Sequence, residues 1–310
     1  MRFRRRFFAA LFILVASSCL APAAGSDTTR LDVPFKTSPQ GPLKLDLHYP
    51  EAPQPGAKYP LVVFTHGGGW SAGDKTISGR GPRFHGVSAL TSQGFCVASV
   101  GYRLCSKDTD IRIRDCITDA KDALRFLAKN ADQFSVDPNQ VFTFGDSAGG
   151  QLAQMVLLSP PESFPGDPSL ADAKYRLVAG VSWYGPCDFE KTDLFNGPGK
   201  TGVRDRFGAR IISAKTEAKD KLAAYREVSP VNYLTAESRP LLMMQGDMDT
   251  TIPVHHAHYM KQRAGEVNAP VETMIVKNAG HGWKPAGGPI SLGIEEISIK
   301  TADFLKAHLD

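Results

Sequence analysis

The 310-residue chain has no hydrophobic run long enough to cross a bilayer. The longest, Phe7 to Ala16, falls well short of the roughly 20 residues that a spanning helix needs. Cysteine is scarce, five in all. No CxxC or Cys/His pair has zinc-like spacing, which removes a zinc-ribbon or finger reading. There is no internal repeat and no low-complexity tract, so neither a solenoid nor a compositionally biased chain is indicated. An excess of charge is missing too, once the N-terminus is set aside. Residues 1–23 hold Arg2, Arg4, Arg5 and Arg6 and no acid, so the 36 basic and 32 acidic residues of the chain become 32 of each. Nothing in the remaining charge points to nucleic acid or to an anionic surface as partner.

The basic N-terminus has its own reading. Four arginines, the apolar run Phe7–Ala16 and the small-residue exit Ala21-Pro22-Ala23 follow the order of a signal peptide. The expectation is cleavage near residue 23, an exported mature chain, secreted or periplasmic, and one domain over 24–310. An uncleaved anchor is the alternative. A lipoprotein reading through Cys19 is weak, because Ala16-Ser17-Ser18 lacks a bulky residue three positions before the Cys. Export permits disulfides. Cys105 and Cys116 bracket a short polar loop and are the best-placed pair, with buried free thiols as the other reading.

Along the mature chain, Ser26 to Pro42 reads as an extended, poorly determined lead-in, and Leu43 to Tyr49 alternates as a half-buried strand does. Short unbroken apolar runs follow at Leu61–Phe64, Val97–Val100, Val141–Phe144, Val178–Trp183, Leu241–Met244 and Met274–Val276. Such runs mark strands covered on both faces. Ile113 to Leu127 repeats apolar residues at three-and-four spacing, and Gln151–Leu158, His255–Ala264 and Ile294–Leu309 are further helices. Strands alternating with helices predict an α/β fold with a mostly parallel sheet and helices on both faces. The irregular stretch 186–233 reads as an insertion over the C-terminal edge of the sheet.

Three motifs carry chemistry. Gly145-Asp146-Ser147-Ala148-Gly149-Gly150 lies between a strand and a helix, the context of a G-x-S-x-G nucleophile elbow. His66-Gly67-Gly68-Gly69-Trp70 follows a strand, and its glycines let backbone N–H groups approach a substrate oxygen. The predicted oxyanion hole is Gly68, Gly69 and Ala148. A phosphate loop is the alternative, but neither G-x-G-x-x-G nor a following Lys-Ser/Thr is present. His281, between Gly280 and Gly282 past a late strand, is the candidate base. Asp247 and Asp249 both follow the strand ending near Gln245. The need to leave the strand and point back to His281 favours Asp249 without deciding it. His66 reads as structural. His255, His256 and His258 read as a solvated helix face, with zinc as the alternative. Trp70, Trp183, Tyr184 and Trp283 stand beside these motifs as candidate substrate-binding residues, and ordinary core is the alternative for all four, Trp183 above all. No metal or organic cofactor is called for.

These motifs, with Tyr102-Arg103-Leu104, Trp183-Tyr184-Gly185 and Ser229-Pro230-Val231, resemble the α/β-hydrolase esterases related to hormone-sensitive lipase. They resemble especially the branch that includes bifunctional feruloyl and acetylxylan esterases. The resemblance spans nearly all of the mature chain. It implies the α/β-hydrolase fold, serine esterase activity, and Asp249 as the acid, four residues before Pro253. Gln245 stands where His is usual. A short acyl ester is expected because Phe189, Leu194, Phe195 and Phe207 are too scattered along 186–233 to give a lid an apolar face, and the resemblance implies acetyl or feruloyl groups, small or on a plant polysaccharide. An arylformamidase-like amidase and a non-catalytic binding module on the same scaffold are the competing readings.

Overall fold

The computed structural model describes residues 28–106, 108–197, 200–202 and 205–309. The predicted signal segment 1–23, Cys19 included, lies outside the described residues.

Apolar runs with no polar break need cover on both faces, and the sheet supplies it. Strands β3 (Tyr59–Thr65), β4 (Cys96–Val100), β5 (Val136–Asp146), β6 (Leu177–Trp183), β7 (Leu241–Gly246) and β8 (Val271–Val276) run parallel. β1 (Thr29–Ser38) and β2 (Gly41–His48) join antiparallel at one edge, giving the order β1-β2-β4-β3-β5-β6-β7-β8. Helices α1 (Pro82–Ser92) and α7 (Ile294–Lys306) cover one face. Helices α2 (Ile113–Lys129), α3 (Ala148–Leu158) and α6 (His255–Val267) cover the other.

Successive side chains of a strand point to opposite faces, and β3 shows the result. Leu61 and Val63 enter the core under α2 and α6, while Val62 and Phe64 enter the core under α1 and α7. This is the mostly parallel α/β-hydrolase sheet that the strand and helix patterns predict.

Two elements depart from the sequence reading. The lead-in is extended, as read, but from Thr29 on it is a defined strand rather than a poorly determined one. Its core is β1, paired with β2 from Thr29–His48 to Ser38–Gly41, with Val33 and Phe35 buried. Lys36 Nζ lies 2.7 Å from both Asp119 and Asp122 on α2 and ties the strand to the body. Helix α1 gave no periodic signal, because its apolar residues do not gather on one face. Gly86 lets it pack closely on Phe144 and Trp183, since a β-carbon there would meet both rings at 3.0 Å.

Among its described residues the segment 186–233 contains only short helices: α4 (Gly208–Ile211) and α5 (Lys221–Glu227) are α-helical, and the others are 3-10 turns. Phe189, Phe195 and Phe207 converge with Trp70 in a buried aromatic cluster, ring centroids 5.1–6.2 Å apart. Hydrophobic burial of this kind fixes an irregular segment without a strand or long helix.

Candidate active site

The site forms where β3, β5, β7 and β8 end. Between β5 and α3 the chain reverses at Ser147, which takes φ 55° and ψ −118°. A non-glycine residue is strained there, by an order of 1–3 kcal/mol, and persists only where its surroundings over-determine it. They do. Ser147 N–H donates to Trp183 O at 2.8 Å, and Thr65 Oγ1 donates to Gly149 O at 2.7 Å. Position 149 must be glycine, because a β-carbon would lie 1.9 Å from Thr65 O. The hydroxyl is thereby pushed out of the turn, toward His281.

His281 Nε2 lies 3.0 Å from Ser147 Oγ, and His281 Nδ1 lies 2.7 Å from Asp249 Oδ2. A carboxylate only accepts, so Nδ1 carries the proton and Nε2 is left to receive one from Ser147. Asp249 is buried, and its geometry is fixed from behind. Oδ1 accepts from Thr251 N–H at 2.7 Å and Ile252 N–H at 2.9 Å, while Oδ2 accepts from Gln245 Nε2 at 3.1 Å. Gln245 also donates to Ile252 O at 2.7 Å. Asp247 points elsewhere, with Lys277 Nζ 3.5 Å from its Oδ2. Of the two acids left open by the spacing, the structure brings Asp249 to the histidine.

The glycine loop is held by a second set of contacts. Gly67 N–H donates to Asp146 Oδ1 at 2.8 Å. Tyr102 donates to His66 O at 2.6 Å and its ring stacks on the imidazole, centroids 4.3 Å apart. Tyr102 is placed in turn by Arg103, whose Nε and Nη2 meet the buried Asp119 at 2.7 and 2.9 Å. His66 is therefore structural, and burial pushes its pKa down. Gly68, at φ +134°, lets the loop close on itself; a β-carbon there would lie 2.0 Å from Ala72 O. Gly68 and Gly69 line the cleft beside Ser147. Ala148 opens helix α3, so its N–H has no partner within the helix.

The cleft measures about 520 Å³. Trp70 and Tyr184 line it, and Tyr184 packs edge-on against His281 at 4.8 Å. Trp183 and Trp283 do not. Trp183 is fully buried between Phe144 and Trp283 and donates its Nε1 hydrogen to Thr301 at 2.8 Å. It sits at the last residue of β6, facing α7, which makes it core. Trp283 packs behind Tyr184, ring centroids 4.8 Å apart. Sequence reasoning missed Arg83, Arg206, Phe207, Arg210, Thr251 and Ile252, which also line the cleft. The two arginines and the phenylalanine of segment 186–233 carry no motif; only the chain's return over Ser147 brings them there.

Two further expectations are corrected. Cys105 and Cys116 are free thiols, with Sγ atoms 3.9 Å apart. Cys116 Sγ is turned instead to Arg103 O, at 3.1 Å. His255, His256 and His258 are not one solvated face. His255 and His258 are exposed, whereas His256 is fully buried, with Cys187 N–H donating to its Nδ1 at 3.3 Å. Among the described residues no group of three or more His, Cys, Asp or Glu could hold a metal ion. Burial pushes the pKa of His256 down to about 3. Between that value and the unfolded value near 6.5 the unfolded chain binds the extra proton, so stability falls with falling pH by about 1.4 kcal/mol per unit. His256→Gln is expected to flatten the slope of unfolding free energy against pH below neutrality by that amount. An unchanged slope would show that His256 is already charged in the folded state.

The comparisons with known proteins decide the family. Residues 45–263 match the family model BD-FAE. The chain belongs to the BD-FAE family. The matched span contains Ser147 and Asp249 and ends before His281. This is the branch of hormone-sensitive-lipase-like esterases that the motifs imply. Among curated proteins, the chain is 28% identical to "Esterase LipC" of Mycobacterium tuberculosis over 80% of its own length and 60% of the relative's. It is 25% identical to "Isoprenylcysteine alpha-carbonyl methylesterase ICME" of Arabidopsis thaliana, over 82% of this chain and 57% of that one. The chain thus spans somewhat over half the length of these two curated relatives. Among solved structures, a "Truncated form of carbohydrate esterase from gut microbiota" superposes with a TM-score of 0.71 at 19% identity, covering 93% of this chain and 98% of that one. Esterase 2 of Thermogutta terrifontis, in its butyrate-bound form, gives 0.67 at 21%, covering 90% and 92%. These likenesses establish the fold that BD-FAE membership implies. No helix among the described residues is long and apolar enough to cross a membrane.

Proposed function

We propose that the protein is an exported serine carboxylesterase that removes short acyl groups, acetyl or feruloyl in type, from small or polysaccharide esters. The observation that carries the reading is the continuous relay from Ser147 through His281 to the buried Asp249, at 3.0 and 2.7 Å. In the proposed cycle His281 Nε2 takes the Ser147 proton as Oγ attacks the ester carbonyl. The N–H groups of Gly68, Gly69 and Ala148 receive the negative oxygen. His281 returns the proton to the leaving alkoxide, which leaves an acyl-serine, and water removes the acyl group by the same steps.

Short acyl preference is supported by what covers the site. A lipase lid presents an apolar face wide enough to meet a lipid surface. Here Phe189, Leu194, Phe195 and Phe207 of the covering segment are buried, Ala224 and Tyr225 of α5 pack inward, and Leu222 is the one large apolar side chain exposed among the segment's described residues, too little for such a face. The exported, carbohydrate-directed half of the reading rests on the signal-like N-terminus, on BD-FAE membership and on the fold shared with a carbohydrate esterase. The test is kcat/KM across para-nitrophenyl acetate, butyrate, octanoate and palmitate, with fluorophosphonate labelling of Ser147. Labelling and a maximum at acetate or butyrate are expected. A maximum at octanoate or longer overturns the short-acyl claim. No labelling of folded protein supports a binding module. Good turnover of N-formyl aromatics, with no acetate or ferulate released from xylan fragments, transfers the reading to an amidase.

A further inference from the structure

Three arginines face the cleft, and they are not equivalent. Arg83 is engaged, with Nε donating to Asp146 Oδ1 at 3.0 Å and Nη2 to Gly67 O at 2.9 Å. Arg206 Nη1 donates to Thr251 O at 2.6 Å. Arg210, on α4, is different. Among the described residues its guanidinium has no hydrogen-bond acceptor and no carboxylate partner; the Phe207 ring lies 5.5 Å away, and its charge acts on the nearby Cys105 thiol, whose pKa the Cys116 contact lowers and this charge helps to lower. It is nonetheless held at the reacting end of the cleft. A β-carbon added to Gly69 would lie 3.2 Å from Arg210 Nη1, so the guanidinium rests against the glycine loop beside Ser147.

The charge around it is one-sided. Among the lining residues the cations are Arg83, Arg206 and Arg210, and the only carboxylate is Asp146, which Arg83 already occupies. A half-buried guanidinium lined up with an open cleft, and left without an acceptor, has five N–H donors and a full charge to offer an incoming group. A carboxylate matches the guanidinium fork with two parallel hydrogen bonds; a neutral sugar or alkyl chain does not.

We propose that Arg210 is a specificity residue that binds a carboxylate carried by the ester substrate, so that the preferred substrates are acidic esters. The inference rests on the esterase reading above and names the substrate class of the same site. It adds no chemical step: the scissile bond and the proton path are unchanged, and the carboxylate is bound rather than transformed.

Two substrate pairs test it, one for each side of the ester bond. Mono-para-nitrophenyl adipate against its methyl ester places the carboxylate on the acyl side. 4-Acetoxybenzoate against its methyl ester places it on the alcohol side. In the parent protein the charged member of one pair is expected to win by about tenfold in kcat/KM at low salt, the size of a single charge-assisted contact. The pair that shows it tells which side of the substrate faces Arg210. The preference should shrink as salt is raised toward the range where the screening length is about 10 Å; this readout needs no variant. Arg210→Gln should bring the charged-to-neutral ratio close to one, and Arg210→Lys should keep part of it. The proposal is overturned if neither pair shows a preference in the parent, or if Arg210→Gln leaves the ratio as it was. A fall in both members together, with the ratio unchanged, would assign Arg210 to the oxyanion instead. Fluorophosphonate labelling and turnover of the neutral members separate the two readings. If both persist while the charge preference is absent, the carboxylate inference alone fails; if both are absent, the esterase reading fails with it.

Discussion

Ser147→Ala is expected to lower kcat about a million-fold, the scale seen when a hydrolase loses its nucleophile, while the fold remains intact. The reasoning begins with the turn. Ser147 sits at φ 55° and ψ −118°, and its backbone N–H is held by Trp183 O. Alanine keeps the same β-carbon and therefore the same strain, so the backbone has no reason to relax. What disappears is the oxygen 3.0 Å from His281 Nε2. The N–H groups of the glycine loop would still favour a developing oxyanion, and catalysis of about a thousand-fold over water can survive from that alone. Stability should change little, because the hydroxyl faces the cleft. Ser147→Gly should be as inactive but no less stable, since glycine relieves strain of about 1–3 kcal/mol against an entropic cost of about 0.5–1 kcal/mol. Single-turnover kinetics and thermal midpoints on the two variants decide it. Near-parental turnover in Ser147→Ala would remove Ser147 from the mechanism.

The parts of the fold that were legible in the sequence are those whose signal is local. Val62 and Phe64 or Leu61 and Val63 announce a doubly covered strand because both faces must be apolar. Ile113 to Leu127 announces a helix because one face must be. The elbow and the glycine loop were legible for a sharper reason: backbone crowding leaves only glycine possible. At Gly149 an added β-carbon would lie 1.9 Å from a carbonyl oxygen, so no other residue fits. The sequence therefore spells the geometry out at those positions.

What escaped was whatever depends on long-range partners. β1 is exposed along much of its length, and its anchors, Asp119 and Asp122, lie more than 80 residues away. His256 looks polar and solvated beside His255 and His258, yet helical phase turns only the middle one inward, onto Cys187. Trp183 stands next to Tyr184 in sequence, but alternation at the end of β6 sends the indole to α7 and the phenol to the cleft. Arg206 and Arg210 reach Ser147 only through the path of an irregular segment, for which no periodicity exists to be read.

The choice between the two aspartates had the weakest sequence signal and carries the second large expected effect. Asp249→Asn should lower kcat about ten-thousand-fold, as loss of the supporting carboxylate does when the imidazole is left in the wrong tautomer. Asp247→Asn should stay close to the parent. The surroundings of Asp249 dictate how an asparagine would sit. Its carbonyl oxygen would keep the place of Oδ1, because Thr251 and Ile252 N–H both donate there. The amide NH2 must then take the place of Oδ2, 2.7 Å from His281 Nδ1. A donor at that point obliges Nδ1 to accept, which puts the ring proton on Nε2, where it blocks removal of the Ser147 proton. Gln245 makes the replacement worse, because its Nε2 also donates to that position, at 3.1 Å. Turning the Gln245 amide over would present Oε1, which has no partner now, but would give up the 2.7 Å bond to Ile252 O. Asp247 has none of these ties; the residue beside its carboxylate is Lys277, at 3.5 Å. Lys277 is exposed and Asp247 partly so, and a pair of that length at the surface contributes about 0–1 kcal/mol. Steady-state kinetics of the two variants on para-nitrophenyl acetate measure the ranking. If Asp247→Asn were the more damaging, the acid would move to Asp247, and the hydrogen bonds that converge on Asp249 would serve only to fold the loop.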